Sequence, residues 1–422
     1  MNVESTIKRT IAGRYRKERR FQQMGMISMV IGMMFLLWLL VTIVQDATSA
    51  LRQTLVAVDI SLDEDNFDQP INKASIKSAS FGKMIKKSLR KDFPDVKKRK
   101  DKKQLYKIVS NGAEYAIRDS IIESPELIGT THRFWVFADD EIDMLMKGLI
   151  DRNIEEGNRR VSDKTISWVD ELVAEGRVET RFNWTFFTSG DSRDPELSGI
   201  WGAMKGSIFT ILITMLLALP IGVAAAVYLQ EFAPKNRFTD LIEVNINNLA
   251  AVPSIIFGLL GLAILINYFG LPRSVPMVGG MVLALMTLPT VIISSRTALA
   301  AVPPSIREAA LGVGASRVQM ILHHVLPLAA PGILTGSIIS LARALGETAP
   351  LLVIGMVAFI VDIPTGPDSP STVLPVQIYL WADSPERAFV ERTSAAILVL
   401  LIVLVSINGL TAMLRNKVER RW

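Results

Sequence analysis

Six long apolar runs interrupt this chain of 422 residues, and they dictate its surroundings before any motif is considered. They lie at residues 26–44, 206–229, 249–269, 278–295, 328–360 and 393–414. Each approaches or exceeds the roughly 20 apolar residues that a helix needs to cross a bilayer. Periodicity cannot tell one buried helix from one span, but six such runs in a single chain settle the matter. The expected fold class is an all-α polytopic membrane protein of about six transmembrane helices, with a soluble domain between the first two. Cysteine is absent, which removes disulfides, thiolate zinc sites and thiol nucleophiles. Three histidines leave little for a metal cluster, so no metal site and no catalytic residue is expected.

The flanks of the runs set an orientation, because short cytoplasmic loops collect Lys and Arg. Residues 1–25 carry Lys8, Arg9, Arg14, Arg16, Lys17, Arg19 and Arg20, and the tail 415–422 carries Arg415, Lys417, Arg420 and Arg421. Arg296, Arg307 and Arg317 follow the fourth run, whereas 362–392 is net acidic. Both termini and the segment after the fourth run are therefore expected in the cytoplasm. The net charge of +5 is spent on these flanks and does not suggest nucleic acid. The domains read as a basic cytoplasmic flank (1–25), an anchor helix (26–44), an extracytoplasmic domain (45–200), a five-helix core (201–414) and a cytoplasmic tail (415–422). The first run could be a signal peptide, with small residues at 47–50, but its 19 uncharged residues exceed the usual signal core.

The domain at 45–200 is expected to be mixed α/β or mostly helical, with an alternating pattern at 106–109 and a helical one at 140–153. From Lys73 to Lys107 it holds fourteen Lys or Arg against three Asp. Such a run is either an anion-attracting surface or, more blandly, a disordered solvated linker. Pro253 and Pro289 fall inside apolar runs and force a kink or break there, through ordinary packing or beside a transport path.

Residues 303–330 form a mixed-polarity insert between two apolar runs. Pro303-Pro304 stops what precedes it, and Ser305 and Glu308 read as the S-x-x-E of a capping box. Glu308-Ala309-Ala310 is followed by Gly314, where a helix should end, and then by Leu326-Pro327. This pattern resembles the cytoplasmic coupling loop of bacterial ABC-importer permeases, with His324 standing where that family usually has Ile. The resemblance implies that Ser305, Glu308, Ala309, Ala310, Gly314, Leu326 and Pro327 dock on an ATP-hydrolysing subunit.

The fifth run contains Arg343 and Glu347, four apart and expected on one helical face. A charge at membrane depth costs about 2.5–3.5 kcal/mol on insertion scales. The two either pair simply to survive burial or, with Thr348, line a path for an anion. The segment RALGETAPLL, together with FAPKN and NNLAAVPSIIFGLLGL, resembles the phosphate-specific permease family of PstA type over roughly residues 180–422. The long insert at 45–180 departs from the shorter form of that family. Membership implies a phosphate importer with a second permease (PstC type), two ATP-binding subunits (PstB type) and an extracytoplasmic phosphate-binding protein (PstS type). It also implies an inner-membrane location in contact with lipid. The chain lacks G-x-x-x-x-G-K-[ST], since Gly82-Lys83 is followed by Met84. ATP would thus be used by the partner and no cofactor bound here. The alternatives are a permease for sulfate or molybdate, or a self-contained secondary transporter, which leaves the EAA segment unexplained.

Overall fold

The computed structural model describes residues 3–357 and 359–418. Arg420 and Arg421 of the basic tail lie outside them, as do residues 1 and 2 of the flank. The first element is a single helix, α1 (Val3–Ala50), of 48 residues. At 1.5 Å per residue it is about 72 Å long, more than twice the ~30 Å thickness of a bilayer's hydrocarbon core. It runs unbroken through the small residues 47–50 and ends there, and its apolar middle is exposed. Ala47 and Ala50, at its end, are buried against a cluster that includes Phe186, Ile200 and Phe389.

The insert that follows is built on β1 (Arg52–Ser61). After it come α2 (Lys73–Ser78), α3 (Phe81–Asp92), α4 (Arg99–Tyr106) and α5 (Ala113–Glu123). Next are β2 (Thr131–Phe137), α6 (Asp140–Met146), α7 (Asp163–Ala174), β3 (Val178–Phe182) and α8 (Trp184–Thr188). The strands form one antiparallel sheet in the order β2-β1-β3, with Val56 opposite both Val136 and Val178. A central strand is covered on both faces, which is why Val56, Ala57, Val58 and Ile60 are all fully buried. The basic run is not a disordered linker. On α3, Met84, Ile85, Ser88 and Leu89 turn inward while Lys83, Lys86, Lys87 and Lys91 stay exposed, so the lysines are the wet face of a packed helix. Two local expectations also change. Val109 makes only an isolated bridge to Ala138, and the helix expected over 140–153 stops at Met146, before Gly148 at φ +75°. The mouth of the insert is narrow: the Asn183 amide N–H donates to Leu51 O and its side chain to Ala50 O, both at 2.9 Å.

The remaining chain is helical. α9 (Trp201–Val227) continues into a π-helical turn at Tyr228–Phe232, and α10 (Arg237–Ala250) follows. α11 (Ser254–Leu260) leads into a π-helical stretch at Gly261–Tyr268, then come α12 (Pro276–Ala300) and α13 (Pro304–Gly312). α14 (Arg317–Met320), a π turn at Ile321–Val325 and α15 (Leu326–Gly346) make one continuous rod. α16 (Ala349–Val353), α17 (Leu374–Ala382) and α18 (Ala388–Val418) complete the chain. Among the described residues five helices are long and apolar enough to cross a membrane, and a bent pair makes a sixth crossing if counted as one span. This is a multi-pass membrane protein.

Two of the six runs are not straight spans. Within 249–269 the chain turns by 103° between α10 and Ser254–Tyr268. The Pro253 ring cannot follow the carbonyl of Leu249 in a continuous helix, and Val252 before it is pushed out of the α region. The run at 328–360 likewise stops at Gly346. Gly258 shows how tightly the pieces then fit: a Cβ built there would lie 2.7 Å from Pro350 Cα.

Candidate functional site

The segment expected to couple begins with Pro304 in the first turn of α13, where a missing N–H costs nothing. The N-cap position is Pro303 and carries no side-chain cap, so the box expected between Ser305 and Glu308 does not form. Ser305 is already inside the helix, and Ser305, Glu308 and Ala309 are exposed. The capping box sits eleven residues on. The Gln319 amide donates to Ser316 Oγ (3.2 Å), and the Ser316 amide donates to Gln319 Oε1 (2.9 Å). The helix end does fall where glycine predicts. Gly314 takes φ +89°, its N–H bonds to Leu311 O (3.0 Å), and that of Ala315 reaches Ala310 O (3.1 Å). That pairing is the Schellman closure, with Ala310 buried beneath it.

Arg307 fixes this helix to its neighbours. Its guanidinium pairs with Glu231 on the π turn after α9 (2.8 Å) and donates to Val302 O (2.6 Å) and Leu299 O (2.8 Å) at the end of α12. A planar fork with five donors suits this three-way contact, and a lysine would not replace it. In the sequence Arg307 reads only as a flank charge. Leu326 is half-buried and Pro327 exposed, both just past the π turn at Ile321–Val325. That wider turn absorbs the amide that Pro327 cannot supply. Between α12, α13 and α15 lies a groove of about 650 Å³, lined among others by Pro303, Ile306 and Pro327.

The second group of expected residues is placed differently from the sequence reading. α15 ends at Gly346 because the ring of Pro350 would collide with the Gly346 carbonyl in a continuing helix. Arg343 therefore lies in the last turn, where the helix's negative end favours a cation. Glu347 is already outside, in extended conformation (φ −80°, ψ 122°). Their pairing is loose: Arg343 Nε lies 3.6 Å from Glu347 Oε1, with the side chains 51% and 20% exposed. Thr348 is half-buried, and its carbonyl accepts the amides of Leu351 and Leu352 (3.0 and 2.9 Å), starting α16. Glu347 faces a gap of about 10 Å³ that it shares with Ser207, Thr210 and Leu283, at the lower limit for holding one water.

That gap exposes residues the sequence reading missed. Along α9, Gly206, Ser207, Thr210, Thr214, Ala218 and Gly222 are buried in one stripe, although the run reads as uniformly apolar. Thr214 Oγ1 donates to Gly280 O (3.2 Å), Ser207 Oγ accepts the Leu374 amide (2.8 Å), and Thr210 Oγ1 has no hydrogen-bond partner among the described residues. The signal was present as small and hydroxyl residues three or four apart. Among the described residues no group of three His, Asp or Glu side chains converges as a metal site would require.

Residues 218–421 match the family model described as the binding-protein-dependent transport system inner membrane component. The chain is also 32% identical over 238 residues to the phosphate transport system permease protein PstA 1 of Mycobacterium tuberculosis (strain CDC 1551 / Oshkosh), covering 56% of this chain and 77% of that one. It belongs to the PstA permease family. The PstA of Mycobacterium leprae (strain TN) is 33% identical over 252 residues, covering 59% of this chain and 82% of its own length. Among solved structures, the inward-facing methionine ABC transporter MetNI is similar over 53% of this chain and 95% of its own, at 18% identity and a TM-score of 0.42. Residues 8–156 match a second model, described as a domain of unknown function (DUF3333).

This PstA-family permease therefore carries an additional domain, and a buried charge cluster fastens that domain to the core. Lys147 Nζ lies 2.6 Å from Asp143 Oδ2 and 2.7 Å from Glu391 Oε1, with all three side chains at most 5% exposed. Thr54 N–H donates to Asp143 Oδ1 (2.8 Å). Arg392 lies buried beside them over the Phe186 ring. Glu196, on the chain entering α9, accepts from Ser110 Oγ, and burial pushes its carboxyl up to about 7. Burial, and then the neighbouring charge of Asp140, pushes Asp139 up to about 8. Nothing in the sequence pointed to this cluster, because Lys147 and Glu391 are 244 positions apart.

Proposed function

We propose that this chain is one membrane-spanning half of an ATP-driven phosphate importer in the bacterial cytoplasmic membrane. Its termini and α13 would face the cytoplasm and its insert the exterior. The partners would be a second permease of PstC type, paired ATP-binding subunits of PstB type and a phosphate-binding protein of PstS type. The chain itself does no covalent chemistry in this reading, and its partner hydrolyses the ATP.

The observation that carries the coupling role is the geometry around Arg307. α13 offers Glu308 and Ala309 to a partner, while Arg307 ties the same helix to the ends of α9 and α12. A push on α13 is thereby delivered to both helices at once. The rod Arg317–Gly346 carries it about 39 Å onward to Arg343. Arg343 supplies a half-exposed cation for an anion, and Glu347 sits beside it on extended backbone between α15 and α16, with Thr348 opening α16.

The test is uptake by the complete transporter in reconstituted vesicles. Glu308→Ala is expected to leave assembly intact while at least halving substrate-stimulated ATP hydrolysis. Arg343→Gln is expected to abolish phosphate uptake in an intact complex. Full uptake in Arg343→Gln would remove that residue from the path, and competition by sulfate or molybdate as strong as by phosphate would change the substrate.

A further inference from the structure

The insert bears a cleft that the transport reading leaves without a role. Lys100, Lys103 and Lys107 recur at i, i+3 and i+7 along α4 and its C-cap, so they share one side of the helix. Glu141 of α6, Arg160 on the chain leading into α7 and Thr165 in the first turn of α7 form the facing wall, and an open cleft of about 570 Å³ lies between.

What distinguishes this cleft from an ordinary wet face is its pairing. Elsewhere on the insert Lys87 pairs with Asp63, Arg152 with Asp170, Arg159 with Asp163 and Lys164 with Asp101. Among the described residues, the side chains of Lys100, Lys103, Lys107 and Arg160 make no hydrogen bond or ion pair. Four cations thus gather around one concavity whose acidic lining is Glu141 alone. Glu141 acts on Lys107 and Arg160, and Asp101 on Lys100, but four cations outnumber these carboxylates, and the concavity keeps a positive excess that attracts an anion.

The dimensions choose among anions. From Lys100 to Lys107 the row runs about 10 Å along the helix axis. A single orthophosphate would reach only part of it. Carboxylates bring one charge each, whereas a phosphoryl group brings about −1.5 to −2 at pH 7 together with three acceptor oxygens. We propose that this cleft is a binding site for a ligand carrying two or more phosphoryl groups. That chemistry has two sources, a condensed inorganic phosphate in solution or an anionic lipid headgroup with two phosphates. The site stands independently of the transport reading, since no residue in it belongs to the coupling helix or to the path.

The experiment uses the full chain in nanodiscs of zwitterionic lipid, titrated calorimetrically with tripolyphosphate and with orthophosphate. Tripolyphosphate is expected to bind at least about tenfold more tightly than orthophosphate, and to weaken at least about tenfold in the double variant Lys103→Glu/Arg160→Glu. The milder Lys103→Gln/Arg160→Gln pair should shift affinity the same way, which guards against misfolding. Arg343→Gln should leave it unchanged, separating this cleft from the transport path. A second set of discs containing a two-phosphate lipid identifies the source. Loss of tripolyphosphate binding there assigns the headgroup, and retained binding assigns the free anion. Absence of binding in zwitterionic discs, or binding that the charge reversals leave intact, would overturn the proposal.

Discussion

Glu196 holds its proton more tightly in the folded protein than an exposed glutamate does, with a carboxyl at about 7 rather than 4.5. The sign follows directly. A carboxyl raised on folding contributes stability that is fully present below pH 4.5 and is lost as the pH climbs to about 7. Asp139, raised from 3.8 to about 8, acts in the same direction over a slightly wider window. The loss attached to Glu196 is on the order of 3 kcal/mol. Thermal unfolding in detergent between pH 5 and 8 should therefore show the insert softening as the pH rises. Glu196→Gln, which cannot ionise, should remove about half of the slope between 5 and 7 and leave the share carried by Asp139, and a slope unchanged in that variant would dismiss Glu196 as a contributor. At the same scale, Arg307 illustrates why a flank charge is easily misread. Its three partners come from 231, 299 and 302, and no local pattern announces the first of them.

At the scale of the element, the segment at 303–330 opens on a short helix with its cap in an unexpected place. Ser316→Ala should destabilise the turn into α14 by about 1 kcal/mol, the usual worth of an N-cap. Ser305→Ala should be nearly silent, because that hydroxyl caps nothing. Melting both variants side by side tests the register, and the opposite ranking would restore the box at 305. The same segment shows what was legible. Gly314 and Pro350 act through hard sterics, so the αL closure and the end of α15 can be read from the residue type alone. The box could not, since S-x-x-E at 305 and S-x-x-Q at 316 satisfy the same rule. Only packing against Glu231 and the α12 carbonyls, with Pro304 opening the helix, decides between them. The hydroxyl stripe on α9 was hidden for a related reason: six buried small residues do not lower the mean apolarity of a 27-residue helix enough to be noticed.

At the scale of the molecule, the sequence predicts an all-α membrane core and an insert that is either mixed α/β or mostly helical, but nothing of their junction. Contacts 244 residues apart have no local signature, and a buried lysine looks like any other in a sequence. Lys147→Met would strip Asp143 and Glu391 of their direct partner and leave only the neighbouring Arg392 to offset two buried carboxylates, at a cost of about 3 kcal/mol. Limited proteolysis should then cut within the insert while residues 201–418 stay protected. An unchanged cleavage pattern would show that the triad does not hold the insert down. The mouth of that insert carries a consequence of its own. Because Asn183 is stitched to Ala50 and Leu51, some 130 residues of folded chain leave and return through a doorway one hydrogen-bonded step wide. The points where the chain enters and leaves the insert are thereby locked to each other, so any movement of the end of the first helix is passed straight to the strand that leads back toward the core.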